Sequence, residues 1–180
     1  MLGMVFTEFI EMVEDRFSPD VADAILSAAE LPHGGAYTAV GYYPHEEIVR
    51  LVGLLSEHTR TPAPELVRAF GEHLLGRFTV LYPQMFVRHT NVLDFLASID
   101  GEIHVEVRKL YPDAQLPRFS IVSRSPEHIA LFYHSPRAMD ALAEGLMLGA
   151  IRHFGVPHRL TRRADTHEGR PGVVFDVHRQ

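Results

Sequence analysis

Four residues between positions 99 and 137 have types and a spacing that could do chemistry: His104, and the run Tyr133-x-Ser135-x-Arg137. An imidazole is a nitrogen donor for a transition metal, whereas a phenol, a hydroxyl and a guanidinium together make a cationic, hydrogen-bonding clamp for carboxylates. An iron porphyrin asks for one of each, an axial nitrogen for its iron and a clamp for its two propionates. Each feature also has an ordinary account. The chain has 12 histidines, and one on a helix margin can be simply packed or solvated. Ser135-Pro136 can be a plain helix start with no ligand. A ligand-binding account builds on the same geometry, because the free N–H groups and dipole of a helix N-terminus favour anions.

The elements that must position these residues follow from periodicity. Leu2, Val5, Phe6, Phe9, Ile10 and Val13 recur at 3.6-residue spacing and predict an amphipathic opening helix. Ser18-Pro19-Asp20 predicts the start of a second helix reaching about residue 31, and a Gly- and Tyr-rich loop follows over 32–43. A third helix is expected over 44 to about 58, and Thr61-Pro62 is read as the cap of a fourth running through Leu66, Phe70 and Leu74. After a short segment broken by Pro83, one long helix is expected from about 91 to 110. Its stripe is Leu93, Leu96, Ile99, Ile103, Val107 and Leu110, with His104 on the margin. The stripe can supply the apolar wall an iron ligand needs.

Beyond Tyr111-Pro112 the period changes to two. Residues 119–123 and 128–133 alternate about Ser125-Pro126-Glu127 and predict an antiparallel hairpin. A helix restarting at Ser135-Pro136 carries Met139, Leu142, Leu146 and Ile151, and two closing strands over 156–162 and 173–177 flank a Gly-Arg-Pro-Gly turn. The fold class is α+β: one domain over 1–180, with a helical lobe to about residue 60 and a lobe of antiparallel sheet and helices from about 61.

Composition narrows the function. A chain of 180 residues with 46% hydrophobic content can bury a full core. The absence of cysteine excludes a disulfide framework, a thiolate haem ligand and Cys-based zinc or iron–sulfur sites. Glu8, Glu11 and Glu14 interrupt the opening apolar stretch, so it does not read as a signal peptide. No window approaches the roughly 18 apolar residues of a membrane span, and the chain is read as cytoplasmic. Net charge is −6, which argues against nucleic-acid binding. The arginine-rich end over 151–180 reads as a solvated strand face or a surface for an acidic partner.

Other constellations are weaker. His104-x-Glu106 lacks the cysteine pair that a zinc deaminase requires. There is no His-Glu-x-x-His, no Gly-x-Ser-x-Gly and no phosphate-cradling glycine loop. His153 and His158 straddle Phe154–Pro157 and offer either an adventitious zinc site or a simple surface loop.

The Tyr133-x-Ser135-x-Arg137 run resembles the motif of the haem nitric oxide/oxygen binding family, the sensor domain of soluble guanylate cyclases and bacterial H-NOX proteins. In that family an invariant Tyr-x-Ser-x-Arg follows the proximal histidine by about thirty residues; His104 to Tyr133 is 29. The turn Pro117-Arg118-Phe119 and the opening Met1-x-Gly3 also match, so the resemblance covers nearly the whole chain.

The resemblance implies a haem b sensor rather than an enzyme. His104 would be the proximal iron ligand, Tyr133, Ser135 and Arg137 would hold the propionates, and Pro117 would press on the ring. Val5, Phe9, Leu74, Leu142 and Leu146 would line the gas side. Oxygen-binding members place a tyrosine, a tryptophan and an asparagine where this chain has Leu142, Phe9 and Leu74, so nitric oxide and carbon monoxide are the expected ligands and dioxygen is not. The expected partner is a separate histidine kinase or cyclic di-GMP enzyme. The competing expectation is a haem-free α+β interaction or small-lipid-binding module with the same fold, and behind it stands a His/Glu metal hydrolase.

Overall fold

The computed structural model describes residues 1–180. The predicted amino-terminal helices form where the apolar period places them: α1 Gly3–Arg16, α2 Pro19–Ala28, α3 His45–Thr59 and α4 Ala63–Leu81. The Ser18 hydroxyl accepts from the Val21 N–H at 3.3 Å, and Pro19 occupies the first helical turn. α2 stops short of 31, because Glu30 turns left-handed at φ 48°. Thr61 does not cap α4: Pro62 holds that position without a side-chain bond, and the Thr61 carbonyl instead accepts from Ser56 at 2.7 Å. α4 also runs well past Leu74, ending just ahead of the short 3-10 turn Pro83–Met85.

The expected long helix is three pieces. Asn91 caps α5, Val92–Ser98, by accepting from the Asp94 N–H at 2.9 Å. A π turn follows at Ile99–Ile103, and α6 covers His104–Leu110. A π turn holds one residue more than an α turn, so everything after it is rotated by about 100° relative to a straight helix. This rotation takes His104 from the margin to the inner face, where it is 9% exposed.

Strands β1 Arg118–Ser125, β2 His128–His134, β3 His158–His167 and β4 Arg170–Arg179 make one antiparallel sheet in the order β1-β2-β4-β3. The last hairpin turns at Glu168-Gly169, not at Gly-Arg-Pro-Gly. Both residues have positive φ, 52° and 74°, the signature of a two-residue turn that matches strand twist, so Arg170 and Pro171 already belong to β4. Helix α7, Asp140–Phe154, lies between β2 and β3 in the chain. It does not start at Ser135. Residues 135–138 form a turn, closed by Ala138 at φ 47°.

Two apolar cores result. One lies among α1–α4 and includes Phe6, Phe9, Met12, Leu51, Leu55 and Phe70. The other joins α5 and α7 to one face of the sheet through Phe95, Leu96, Met147, Ile129, Leu131 and Phe175. Each fully buried side chain of this kind stabilises by about 1.5–3 kcal/mol. α4 contributes to both, with Leu74 in the first and Leu75 in the second.

α4 and α7 approach backbone to backbone. A Cβ on Gly145 would run into the Arg68 carbonyl, and one on Gly71 into the Leu142 carbonyl. Gly76, also in α4, faces open space. We therefore expect opposite effects from two alanines. Gly145→Ala should destabilise by about 1–3 kcal/mol through overpacking, whereas Gly76→Ala should stabilise by roughly 0.5–1 kcal/mol through helix propensity. Denaturant midpoints of the two variants measure this, and a Gly145→Ala midpoint at or above that of the parent contradicts the close crossing.

Candidate functional site

Between the two cores lies a cavity of about 640 Å³, within the roughly 300–1,000 Å³ typical of cofactor pockets. Its walls are mostly apolar. Met4 and Val5 come from α1, Leu75 and Phe78 from α4, Ile99, Ile103 and Val107 from the π turn and α6, and Leu142 and Leu146 from α7.

His104 stands on this wall. Its Nδ1 lies 3.3 Å from Asp100 Oδ1, one turn back across the π turn, and its ring centroid is 5.9 Å from that of Phe119. The bond to a carboxylate selects the tautomer with the proton on Nδ1. Nε2 is left with a free lone pair: it has no hydrogen-bond partner and is not sealed among protein atoms. Asp100 Oδ1 also accepts from the Phe119 N–H at 3.4 Å, so one carboxylate orients the imidazole and anchors the start of β1.

Tyr133, Ser135, Arg137 and Pro117 line the same cavity. Tyr133 lies one residue before the end of β2 on the core side, and burial raises its pKa while its contacts with Ser135 and the Met139 backbone oppose the shift. Ser135 is not at a helix terminus as expected; its hydroxyl accepts from the Arg137 N–H at 3.3 Å and so shapes the turn that presents Arg137. The guanidinium donates to the Gln115 carbonyl at 2.9 Å and to Gln115 Oε1 at 2.7 Å. Both partners are neutral oxygens, which leaves the positive charge of Arg137 available to an anion.

Val5, Leu142 and Leu146 are also on the wall, but Phe9 and Leu74 are not. Phe9 lies one turn deeper than Val5 on α1 and packs edge-to-face on Phe70 at 5.3 Å, inside the helical core. Leu74 turns the same way, and the adjacent Leu75 reaches the cavity instead. Of the loop tyrosines, Tyr42 reaches the lining. Tyr37 bonds Glu47 at 2.8 Å and stacks on Phe6, while the Tyr43 hydroxyl accepts from the Thr38 N–H at 2.9 Å.

Sequence reasoning missed Tyr82 and Tyr111, whose hydroxyls meet at 2.9 Å on the wall, and Gln115. Nothing local marks the tyrosine pair, which joins the end of α4 to the end of α6 across 29 residues of chain. His153 and His158 are not brought together as a metal site. The first packs on Phe86 and Phe154, and the second has Nδ1 2.8 Å from the Val156 carbonyl.

The arrangement offers one unprotonated imidazole nitrogen facing an apolar chamber large enough for a flat macrocycle, with a cation and two hydroxyls on the same chamber for carboxylates. These residues fit a porphyrin: the donor suits its iron, the walls suit its ring and the cation suits its propionates.

Comparison with known proteins gives the same direction. The family model described as Haem-NO-binding matches residues 2–161. The Fe(II) unliganded H-NOX protein of K. algicida is similar, at 33% identity and a TM-score of 0.93, over 100% of this chain and 97% of that one. The H-NOX of Shewanella woodyi, in the Fe(II)CO state and bound to IWP-051, shares 38% identity at a TM-score of 0.85, covering 100% and 95%. An S. oneidensis H-NOX protein in the Fe(II)NO state shares 26% identity at 0.88, covering 100% and 99%. A search among curated protein sequences finds no match.

Burial lowers the pKa of His104 from its ordinary 6.5, with Asp100 opposing the shift and Arg108 adding to it. Below pH 6.5 the unfolded chain binds this proton more readily than the folded one, so the contribution of His104 makes stability rise with pH and fall as the medium is acidified towards the folded value. In denaturant titrations of haem-free protein, His104→Gln should flatten part of that acid-side decline. Identical slopes in the parent and the variant would show that the imidazole is not held neutral by burial.

Proposed function

The chain belongs to the Haem-NO-binding family of haem-based gas sensors, and from that premise we propose that it binds haem b between its two cores and reports nitric oxide or carbon monoxide to a separate signalling protein. The observation that carries this reading is the free Nε2 of His104 on the wall of an apolar cavity that also carries Arg137. In this reading His104 is the protein's bond to iron, Tyr133, Ser135 and Arg137 hold the propionates, and Pro117 bears on the ring. Residues up to about 60 form the distal lobe, and those from about 61 the proximal one. Bound haem supplies the iron centre that captures a diatomic gas.

The chain's own contribution to signalling lies in the joint before His104. Only His104 is buried in α6, and the helix is joined to α5 only through the π turn. With one buried side chain, α6 is held chiefly by the bond of His104 to Asp100 at its start and the Tyr82–Tyr111 bond at its end, and the π turn before it is a natural hinge. A change in the tension on His104 therefore moves α6 while α5, whose side chains are mostly buried, stays in place. The exposed surface of α6 is what a partner such as a histidine kinase or a cyclic di-GMP enzyme reads.

Gas choice follows from the walls. Val5, Leu142 and Leu146 carry no donor, the Tyr82 hydroxyl is already paired with Tyr111 and lies 3.8 Å from the Met4 sulfur, and Tyr42, the loop tyrosine on the lining, is 44% exposed rather than enclosed with them. The iron of a bound haem would put partial negative charge on dioxygen. In an apolar pocket that charge would go unpaired at a cost of about 1–3 kcal/mol, or roughly fivefold to 150-fold in affinity. Nitric oxide and carbon monoxide need such a donor far less.

Absorption spectra of the reduced, haem-loaded protein under each gas test this. Nitric oxide and carbon monoxide should each shift the Soret band, air should produce no lasting oxygenated spectrum, and Leu142→Tyr should be the substitution that creates oxygen affinity. A stable oxygenated spectrum in the parent contradicts the gas assignment. A colourless protein that takes up no added haemin contradicts the whole reading.

A further inference from the structure

The sheet has a second face, turned away from the cavity, and strand register places three metal-ligating side chains on it. His128 opens β2 and lies directly opposite His178 of β4, and Asp176 is two residues back along β4 on the same face. The two imidazoles stack with centroids 4.0 Å apart and planes 20° from parallel. His128 Nε2 is 3.2 Å from Asp176 Oδ1, and one ligand atom from each of the three residues lies within 4.8 Å of the others. Asp176 is fixed from behind, because Arg163 of β3 donates to its other oxygen, Oδ2, and reaches Asp165 as well.

We propose that His128, Asp176 and His178 bind a single divalent transition-metal ion of the zinc type on this outer face. Two imidazoles and a carboxylate are a donor set that zinc accepts, with water in the remaining position. Around a tetrahedral zinc with bonds of about 2.0–2.1 Å, neighbouring donor atoms are roughly 3.3 Å apart. The His128–Asp176 pair already has that spacing, and His178 closes the set by a side-chain rotation at the exposed end of β4. Binding replaces the hydrogen shared between Nε2 and Oδ1 and moves the imidazole proton of His128 to Nδ1. Arg163 plays the part of an outer partner that orients a coordinating carboxylate. Its positive charge also lowers affinity, so the site should be weaker than a buried four-ligand one.

Rigidity distinguishes this group from scattered surface histidines. His128 and Asp176 are only 21% and 20% exposed, and both stand on paired strands, so little side-chain freedom is lost when a metal is taken up. The ion would tie the start of β2, the strand that also carries Tyr133, to the end of β4. It would not touch the cavity, whose lining includes none of the three residues.

The test is a titration of the haem-loaded full chain with zinc chloride alone, in competition with a chromophoric chelator. About one equivalent should bind in competition, and His128→Gln, Asp176→Asn and His178→Ala should each weaken it by more than about tenfold, as losses in a coordination shell do. His167→Gln removes another histidine from the same sheet face, one that packs on Phe132 at 5.2 Å, and should leave the affinity unchanged. Failure to hold zinc against the chelator overturns the proposal. So does equal binding by the parent and both histidine variants, which would mean diffuse, adventitious uptake.

Discussion

The structure depends on the placement of one imidazole, which is held by a carboxylate within the π turn that precedes it. Asp100 lies in that turn and His104 directly follows it, and the turn rotates His104 inward. With the Asp100 oxygen shared between Nδ1 and the Phe119 N–H, the helix joint, the first strand and the ring orientation become one unit. Without the π turn, an α-helix continued from α5 would leave His104 beside the apolar stripe. The irregular turn is therefore what converts an ordinary amphipathic pattern into a presented nitrogen donor.

The surrounding fold keeps the space in front of that donor. Two cores of similar size meet along α4 and α7, where Gly71 and Gly145 let the backbones close, and side chains of both helices line the cavity. Atoms lining an apolar opening lack dispersion partners on one side. A flat apolar ligand restores those contacts, so occupancy and folding stability should be linked, as for any ligand that binds only the folded chain. The polar groups stand at particular places on an otherwise apolar wall: Arg137, Ser135, Tyr133 and Gln115, the Tyr82–Tyr111 pair, and His104, Asp113 and Tyr42. This segregation lets one chamber hold both a hydrophobic ring and charged substituents.

Much of this was legible in the chain. The period-3.6 stripes located α1 to α4, Ser18-Pro19 marked a start, and Tyr133, Ser135 and Arg137, singled out by type and spacing, line one cavity. The π turn was not legible, since Ile99–Ile103 reads equally well as uninterrupted helix and only Gly101 hints at irregularity. Ser135-Pro136 has the composition of a helix start, but the left-handed Ala138 makes it a turn instead. Phe9 and Leu74 show a limit of matching by position: two residues on the same helices as Val5 and Leu75 can be turned into a core rather than a pocket. Tyr82 with Tyr111, and His128 with Asp176 and His178, are brought together by packing across long stretches of chain that no local pattern reveals.

The central claim is that Nε2 of His104 is the protein's bond to haem iron. Haem titration of His104→Gly, with and without free imidazole, tests it most directly. The account predicts weakened haem retention with an altered ferrous spectrum in the variant, and recovery of the parent spectrum when imidazole fills the space vacated by the side chain. Full haem retention with an unchanged ferrous spectrum in His104→Gly would contradict it and assign the bond to another residue.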